Sequence, residues 1–248
     1  MAEPSSPDEP SSPDEPSPLG QPSSSFEDAW EGFLALDSLQ LVGDSSELEW
    51  THGRAQLLVF LVRLEDKNAL QYAARVGERI AGIPGVEITP EAHLHMTVKV
   101  AGFQVIKRTR DDDILRQDVP RIASSARALV IDQPAFESRL GPVSGFASVV
   151  FLEVWDSGRL GQLNDRLCEV RPQLASSEID GAGFLPHLSI ARFTSNDSLA
   201  ELRSALAELR AEEPGPTFPI RRIDFTRAWL GEEMSGFETL ASYPLPAS

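Results

Sequence analysis

The chain has 248 residues, 41% of them hydrophobic, so it is long and apolar enough for one large domain or two small lobes with a buried core. Its formal net charge of −16 argues against broad non-specific binding to nucleic acid, which needs a basic face. The first 50 residues hold twelve acidic residues and no Lys or Arg, which leaves 26 acidic and 22 basic residues in the remainder, a net charge of −4. A small basic phosphate site on this nearly balanced body is not excluded.

The sequence contains no targeting or membrane-spanning pattern. Its N-terminus has neither a basic region nor an apolar run, and so it does not resemble a signal peptide. No apolar run reaches the roughly 18 residues that would span a bilayer. We therefore expect a cytoplasmic protein that has no contact with a membrane. We also expect a monomer.

Residues 1–25 are predicted to be a disordered acidic tail. They contain the sequence PSSPDE twice in succession, a repeat rich in Pro and Ser with no apolar side chain to bury. We expect the tail to be a solvated arm, because biased acidic segments are usually solvated. The alternative is that its acidic residues occupy a phosphate-binding cleft in place of a nucleic acid.

Residues 26–50 are predicted to form an acidic helix and a linker. The helix is expected at 26–36 with Ser25 as its N-cap, because three aromatic residues at helical spacing form one apolar stripe. These residues are Phe26, Trp30 and Phe33. The stripe favours packing on the body of the protein, and binding to a protein partner is the alternative.

The body, residues 51–248, begins with alternating strands and helices. The pattern of apolar residues predicts strands at 55–64, 86–89 and 93–103 and helices at 68–82 and 111–129. The second helix is expected to open on Asp111, Asp112 and Asp113, since acidic residues suit the positive end of a helix. Pro120 is expected to split or kink it.

The second half of the body repeats this order. Strands are predicted at 147–155 and 184–193, helices at 158–174 and 197–212, and closing strands near 218–230 and 238–245. The triplet VFL occurs at 59–61 and again at 150–152, and a histidine follows the first residue of each triplet after 36 and 37 residues. An internal duplication is the simplest explanation. Two similar lobes would place the two histidine-bearing strands side by side.

Each of these two strands carries a histidine that is followed two residues later by a hydroxyl. Residues i and i+2 of a strand point to the same face, so His95 points with Thr97, and His187 points with Ser189. Two imidazoles that titrate near neutral pH can act as base and acid, and two hydroxyls can donate hydrogen bonds to phosphate oxygens. The pattern suits attack at phosphorus, a reaction that requires no metal here.

His93 and His95 also admit a metal-binding interpretation. That interpretation needs further ligands, and only His52 and His187 remain among the histidines. We therefore expect no metal site. His93 lies two residues before His95 in the predicted strand, so we expect it on the same face, in the cleft or at its rim.

The segments PEAHLHMTVKVAGF (90–103) and FLPHLSIARF (184–193) resemble the paired HxTx and HxSx signatures of the two-histidine (2H) phosphoesterase superfamily. Within it, the likeness is to the 2′-5′ RNA ligase and RNA 2′,3′-cyclic phosphodiesterase group, and residues 134–154 are similar to that group's central strand, loop and strand. The resemblance spans about residues 55–230. It implies an α+β, bilobal duplicated fold, in which two pseudo-symmetric lobes face a central cleft with antiparallel sheets and carry helices outside.

The resemblance also implies roles for individual residues. His95 would donate a proton and His187 would accept one, while Thr97 and Ser189 would hold the phosphate. Three further candidates lie near the motifs: Arg192 for a phosphate contact or a surface salt bridge, Lys99 as a cleft residue, and Phe146 for stacking on a base or for packing in the core.

The implied activity is the metal-independent, cofactor-free hydrolysis of a 2′,3′-cyclic phosphate, at an RNA 3′ end or on a small nucleotide, to a 2′-phosphate. Ligation with a 5′-hydroxyl end as nucleophile would be the reverse reaction. The net charge of −4 on the body favours a short or small substrate over long RNA. The alternative function is a module that binds an RNA end or nucleotide without turnover, while the acidic N-terminal segment recruits a protein partner.

Overall fold

The computed structural model describes residues 24–44, 50–171, 180–230 and 236–247, so all but the last two residues of the predicted tail lie outside the described residues. The helices are α1 Ser24–Leu34, α2 Lys67–Ile80, α3 Val119–Val130, α4 Arg159–Cys168 and α5 Leu199–Arg210. The strands are β1 Gln56–Arg63, β2 Val86–Ile88, β3 His95–Val105, β4 Asp113–Leu115, β5 Phe136–Gly145, β6 Val149–Trp155, β7 His187–Phe193, β8 Thr217–Ile220, β9 Arg222–Trp229 and β10 Phe237–Pro244. Among the described residues, no helix is both long and apolar enough to cross a membrane.

Two five-stranded sheets form the centre of the fold. Sheet 1 has the strand order β10-β9-β1-β3-β4, and sheet 2 has the order β2-β7-β6-β5-β8. The strand pairs are antiparallel except for β3 with β4, which is parallel. Apolar side chains from both sheets pack with the helices into one large core. The predicted α+β class is therefore confirmed.

The two sheets do not correspond to the two halves of the chain. β2, from the first half, pairs with β7 in sheet 2, whereas β9 and β10, from the C-terminal end, complete sheet 1. The strand predicted near 218–230 is in fact two strands, β8 in sheet 2 and β9 in sheet 1, with Arg221 between them. This exchange of strands ties the two lobes together.

The duplication is visible in strand pairing. β1 pairs with β3 in sheet 1 as β6 pairs with β7 in sheet 2. His95 lies opposite Arg63, and His187 lies opposite Glu153. Arg63 and Glu153 therefore occupy equivalent positions, each facing a predicted catalytic histidine across its strand pair.

The two VFL triplets are not equivalent in the structure. Val59 lies opposite Val100, which is five residues after the first motif histidine, whereas Val150 lies opposite Ala191, which is four residues after the second. The triplets are thus one residue out of register with each other. The order of strands and helices reflects the duplication, and the repeated triplet does not.

The helix predicted at 111–129 begins later than expected. Residues Asp113–Leu115 form β4, which pairs with β3, and α3 begins only at Val119. Pro120 lies in the first turn of α3, where no backbone donor is required, so it does not kink the helix.

Asp113 is buried at the edge of sheet 1 and does not open a helix. Its carboxylate accepts hydrogen bonds from the backbone N–H groups of Thr109 and Arg110 and from the Arg54 guanidinium. Burial alone would raise the pKa of this carboxyl, but these hydrogen bonds lower it to about 2. These donors satisfy the Asp113 carboxylate, so it needs no helix end.

Helix α1 packs on the body, as its apolar stripe predicts. Phe26 and Phe33 are 3% and 1% exposed, and the Phe33 ring lies against Gly145, where an added Cβ would come within 2.4 Å of the ring. The helix begins at Ser24, so Ser25 lies inside the helix. The prediction that Ser25 is the N-cap was therefore wrong. Because Phe26 and Phe33 are buried against the body, these two rings are not exposed for binding to a protein partner.

Truncation of the buried ring tests this packing. We expect Phe33→Ala to lower the free energy of unfolding by about 3–5 kcal/mol, because the variant loses apolar burial and leaves a cavity. Leu34→Ala is the matched control, since Leu34 is the next residue of α1 and is 42% exposed. The control should lose less than about 1 kcal/mol in the same urea denaturation experiment. Equal losses would contradict the packing of α1.

Candidate active site

His95 and His187 occupy equivalent places in the fold. Each is the first residue of its strand, β3 or β7, and each follows a nearby 3-10 turn, at Glu91–His93 or at Gly181–Gly183. β3 and β7 belong to different sheets and approach each other. The structure therefore brings the two predicted catalytic histidines to one region of the molecule.

The hydroxyl residues share the faces of the histidines, as the strand period predicts. In β3 and β7 alike, the histidine and hydroxyl positions are half-buried and the residue between them is buried. Neither the Thr97 nor the Ser189 hydroxyl hydrogen-bonds to any residue that the structure describes. Both hydroxyls can therefore donate to an anion bound between the strands.

A backbone carbonyl orients each imidazole. The Nδ1 atom of His95 lies 2.7 Å from the carbonyl oxygen of His93, and the Nδ1 atom of His187 lies 2.7 Å from that of Leu185. Since a carbonyl oxygen can only accept, Nδ1 carries the proton in both rings. In the neutral ring Nε2 then bears a lone pair, and neither Nε2 atom has a hydrogen-bond partner among the described residues.

Burial favours the neutral form of both imidazoles. Burial, reinforced by the charges of His187, Arg63 and His93, lowers the pKa of His95 to about 4. Burial also lowers the pKa of His187.

A phenylalanine ring meets each histidine edge-on. Phe237, at the start of β10, lies 4.6 Å from the His95 ring, and Phe146 lies 5.2 Å from the His187 ring. Phe146 also stacks on Phe151 at 4.4 Å, so the structure places this predicted residue beside the site and against a buried ring. Phe237 was missed by the sequence analysis, because no motif marks it and its position depends on strand pairing.

His93 does not belong to β3, so the predicted sharing of a strand face with His95 was wrong. It ends the 3-10 turn Glu91–His93, where strand alternation does not apply. Its ring lies 6.4 Å from Phe237, and its carbonyl orients the His95 ring. Among the described residues, no group of three or more His, Cys, Asp or Glu side chains is placed to hold a metal ion.

Lys99 lies on the core face of β3 and not in the cleft, where it was predicted. It is opposite the core residue Phe60, because a β-bulge after Thr97 breaks the alternation of the strand. Its side chain is buried and forms an ion pair with Asp180. The other carboxylate oxygen of Asp180 accepts a hydrogen bond from Asn164 of α4, and this completes a buried polar cluster.

Arg192 forms a salt bridge, which is one of the two alternatives that the sequence left open. Its guanidinium binds both carboxylate oxygens of Glu87, with N–O distances of 2.8 and 2.9 Å. Glu87 lies opposite Arg192 where β2 pairs with β7. The structure therefore favours the salt bridge over the phosphate contact.

Arg63 is a cation near the site that the sequence analysis missed. It is the last residue of β1 and lies opposite His95. Directly opposed residues of an antiparallel pair project to the same face. This proximity depends on the register of β1 against β3, and the local sequence around Arg63 carries no signal of it.

The family of the chain follows from its sequence as well as its geometry. The sequence profile of the 2′-5′ RNA ligase superfamily matches residues 74–228, which is more than half of the chain. The chain belongs to this superfamily. The match confirms the resemblance drawn from the two histidine motifs. No protein in the curated set that was compared matches the sequence significantly.

Solved structures of low sequence identity share the fold of this superfamily member. TT0787 of Thermus thermophilus has a TM-score of 0.56 at 17% identity, over 77% of this chain and 98% of that chain. ATU0111 from Agrobacterium tumefaciens, a conserved protein of unknown function, has a TM-score of 0.56 at 15% identity, over 76% and 85%. E. coli LigT complexed with ATP has a TM-score of 0.50 at 14% identity, over 78% and 99%. The predicted bilobal, duplicated α+β fold is thereby confirmed.

The burial of Lys99 has a measurable consequence. Lys99→Met should lower the free energy of unfolding by about 3–5 kcal/mol, because it leaves the Asp180 charge buried without its partner. The activity per folded molecule should be unchanged. Lys107→Met is the matched control, since Lys107 is exposed, and it should leave stability close to wild type. If Lys99→Met lost activity but no stability, the result would contradict the buried position of Lys99 and support a position in the cleft.

Proposed function

We propose that this protein is a metal-independent phosphodiesterase that hydrolyses 2′,3′-cyclic phosphates at RNA ends, or related nucleotide phosphodiesters, to 2′-phosphates. One observation carries the proposal: His95 and His187 are equivalent, and each has Nδ1 held by a carbonyl and Nε2 open. Two such rings, one in each lobe, suit a base and an acid on opposite sides of one phosphate. Membership of the 2′-5′ RNA ligase superfamily supports the same chemistry.

The proposed reaction is an in-line displacement at phosphorus. One Nε2 takes a proton from water as the water oxygen bonds to phosphorus. The bond from phosphorus to the 3′ oxygen breaks, and the other imidazole, protonated at this stage, donates its proton to that oxygen. The Thr97 and Ser189 hydroxyls would donate hydrogen bonds to the non-bridging oxygens as their charge grows. A 5′-hydroxyl in place of water would give a 2′-5′ linkage.

We assign the acceptor role to His95 and the donor role to His187, the reverse of the roles that the family resemblance implies. When the pair holds one proton, that proton favours the ring with the higher pKa. Burial lowers the pKa of both rings, but the charges of Arg63 and His93 act on His95 in addition. These added positive charges disfavour an imidazolium at position 95, so we infer that His187 carries the single proton and that neutral His95 accepts.

An RNA 3′ end or a small nucleotide is the proposed ligand. The nearly balanced charge of the body gives little attraction for long RNA, since extended binding depends on many phosphate contacts. E. coli LigT, one of the similar structures, is complexed with ATP, and nucleotide binding of that kind supports a nucleotide ligand here. A binding module without turnover remains the alternative function, and product formation separates the two.

The dependence of the rate on the leaving group tests the reaction and the two roles. The protein is assayed in EDTA with a nucleoside 2′,3′-cyclic phosphate and with a p-nitrophenyl ester of a nucleotide, whose leaving group needs no proton. The wild type should hydrolyse both. His95→Ala should lose about 10²–10⁴-fold on both substrates, because the base is absent. His187→Ala should lose the cyclic phosphate activity and keep much of the ester activity.

His52→Asn is the matched control for these variants. His52 is exposed, and its positive φ of 48° is a conformation that Asn tolerates. The control should retain wild-type activity on both substrates. If His95→Ala retained ester activity and His187→Ala did not, His95 would be the proton donor and His187 the acceptor, as the resemblance implies. A wild type that binds the cyclic nucleotide but forms no product would identify a binding module.

The pH dependence of kcat/KM provides a second test. His95 must be neutral to accept a proton, and its pKa is lowered from 6.5 to about 4. The base therefore stays competent as the pH falls below 6.5, and activity should disappear only near pH 4. Circular dichroism at each pH verifies that the protein stays folded. An acidic limb centred near pH 6.5 with an intact fold would contradict the burial of a neutral His95.

A further inference from the structure

Attack on a phosphodiester develops negative charge on the phosphate oxygens, and a fixed cation in the site would stabilise it. The two cations nominated from the sequence are placed elsewhere. Arg192 is bound by Glu87, and Lys99 is buried with Asp180. The positive charge closest to the histidine motifs must be sought on a neighbouring strand.

Arg63 lies on that neighbouring strand, opposite His95 and on the same face. Its charge acts on the His95 imidazole. The guanidinium carbon lies 5.4 Å from the centre of the Phe237 ring, and that ring lies 4.6 Å from the imidazole. The start of β3 therefore carries one contiguous group of side chains, formed by Arg63, Phe237 and His95.

The Arg63 guanidinium is anchored through two of its three nitrogen atoms. Nε donates to Asp224 at 3.3 Å, and Nη2 donates to the Thr239 hydroxyl at 3.2 Å and to the Phe237 carbonyl at 3.4 Å. Nη1 hydrogen-bonds to none of the described residues, and the side chain is 23% exposed. Two N–H groups of a positioned cation are thus free of protein partners in the described ranges.

The equivalent position in the other lobe carries the opposite charge. Glu153, which lies opposite His187, is fully buried. Its carboxylate accepts hydrogen bonds from the Trp155 indole at 2.9 Å and from Arg210 at 2.6 Å. The two lobes are therefore electrostatically different at the site, and the free cationic N–H groups lie on the His95 side.

We propose that Arg63 is a substrate-binding residue, whose Nη1 group donates hydrogen bonds to the phosphate held between His95 and His187. The inference rests on the proposed function, because it places an anionic phosphate in this cleft. It adds a residue that neither histidine motif contains. The ligand is the phosphate of a nucleotide phosphodiester or of its 2′-phosphate product, and inorganic phosphate is the simplest probe of the contact.

The pKa of His95 provides a check that the Arg63 charge reaches the site, separate from any effect on stability. Arg63 faces His95 from β1, His187 faces it from β7 and His93 from the preceding turn. Asp224 of β9 contacts Arg63. Removal of the Arg63 charge should therefore raise the pKa of His95, whatever happens to stability.

The test compares Arg63→Gln with Arg222→Gln in the full chain. Arg222 is the matched control, because it also forms an ion pair with Asp224, at 3.2 Å, and with Glu65 at 2.6 Å. It lies opposite Pro244 and not opposite a motif histidine. Imidazole resonances of His95 are followed by NMR, first in a pH titration and then in a titration with inorganic phosphate.

Arg63→Gln should raise the dissociation constant for phosphate by about tenfold to a hundredfold, as expected for the loss of a charge-assisted hydrogen bond. It should also move the His95 titration midpoint toward 6.5. Arg222→Gln should change the dissociation constant by less than about twofold and leave the His95 titration midpoint where it is in the wild type. Wild-type affinity in Arg63→Gln, equal losses in the two variants, or no phosphate binding by the wild type would each overturn the proposal. A wild type that binds phosphate through Arg63 but hydrolyses no ester would instead refute only the proposed function.

Discussion

The hydrogen bond between each imidazole Nδ1 and the carbonyl oxygen two residues earlier is the constraint on which the site depends. It fixes the ring, sets the tautomer and leaves Nε2 open in both lobes. The bond needs only the backbone of residue 93 and does not require a histidine there. His95 supplies the reactive ring, while His93 contributes a backbone carbonyl that any residue at that position would supply.

The exchange of strands between the lobes holds the two rings at a defined separation. β2 leads into the first motif, yet it pairs with β7, the strand that begins with His187. Thr89, which follows β2, donates its backbone N–H to the carbonyl oxygen of Ile190 at 2.8 Å. The segment that precedes His95 is therefore hydrogen-bonded to β7, the strand that begins with His187. Each lobe alone would orient one ring, and the shared strand fixes one ring relative to the other.

The sequence predicted what depends on local pattern. His95 and Thr97 were correctly placed on one face, because the side-chain period of a strand is a local property. Lys99 was misplaced, because the bulge after Thr97 depends on how β3 pairs with β1. Arg63 and Phe237 were missed for a related reason: both reach His95 through strand register between distant segments. The start of α3 was misplaced because the Asp113 carboxylate is satisfied by the distant Arg54 guanidinium and by the backbone of the preceding turn, which a local charge pattern does not show.

In the proposed mechanism, two equivalent imidazoles flank one phosphate without a metal. A crystal structure of the EDTA-treated protein with a nucleoside 2′-monophosphate tests this most directly. The phosphate should lie between the Nε2 atoms of His95 and His187, with both at hydrogen-bond distances of about 2.7–3.2 Å. The Thr97 and Ser189 hydroxyls should contact its other oxygens. A phosphate that contacts only one histidine, or that binds away from both, would contradict the account.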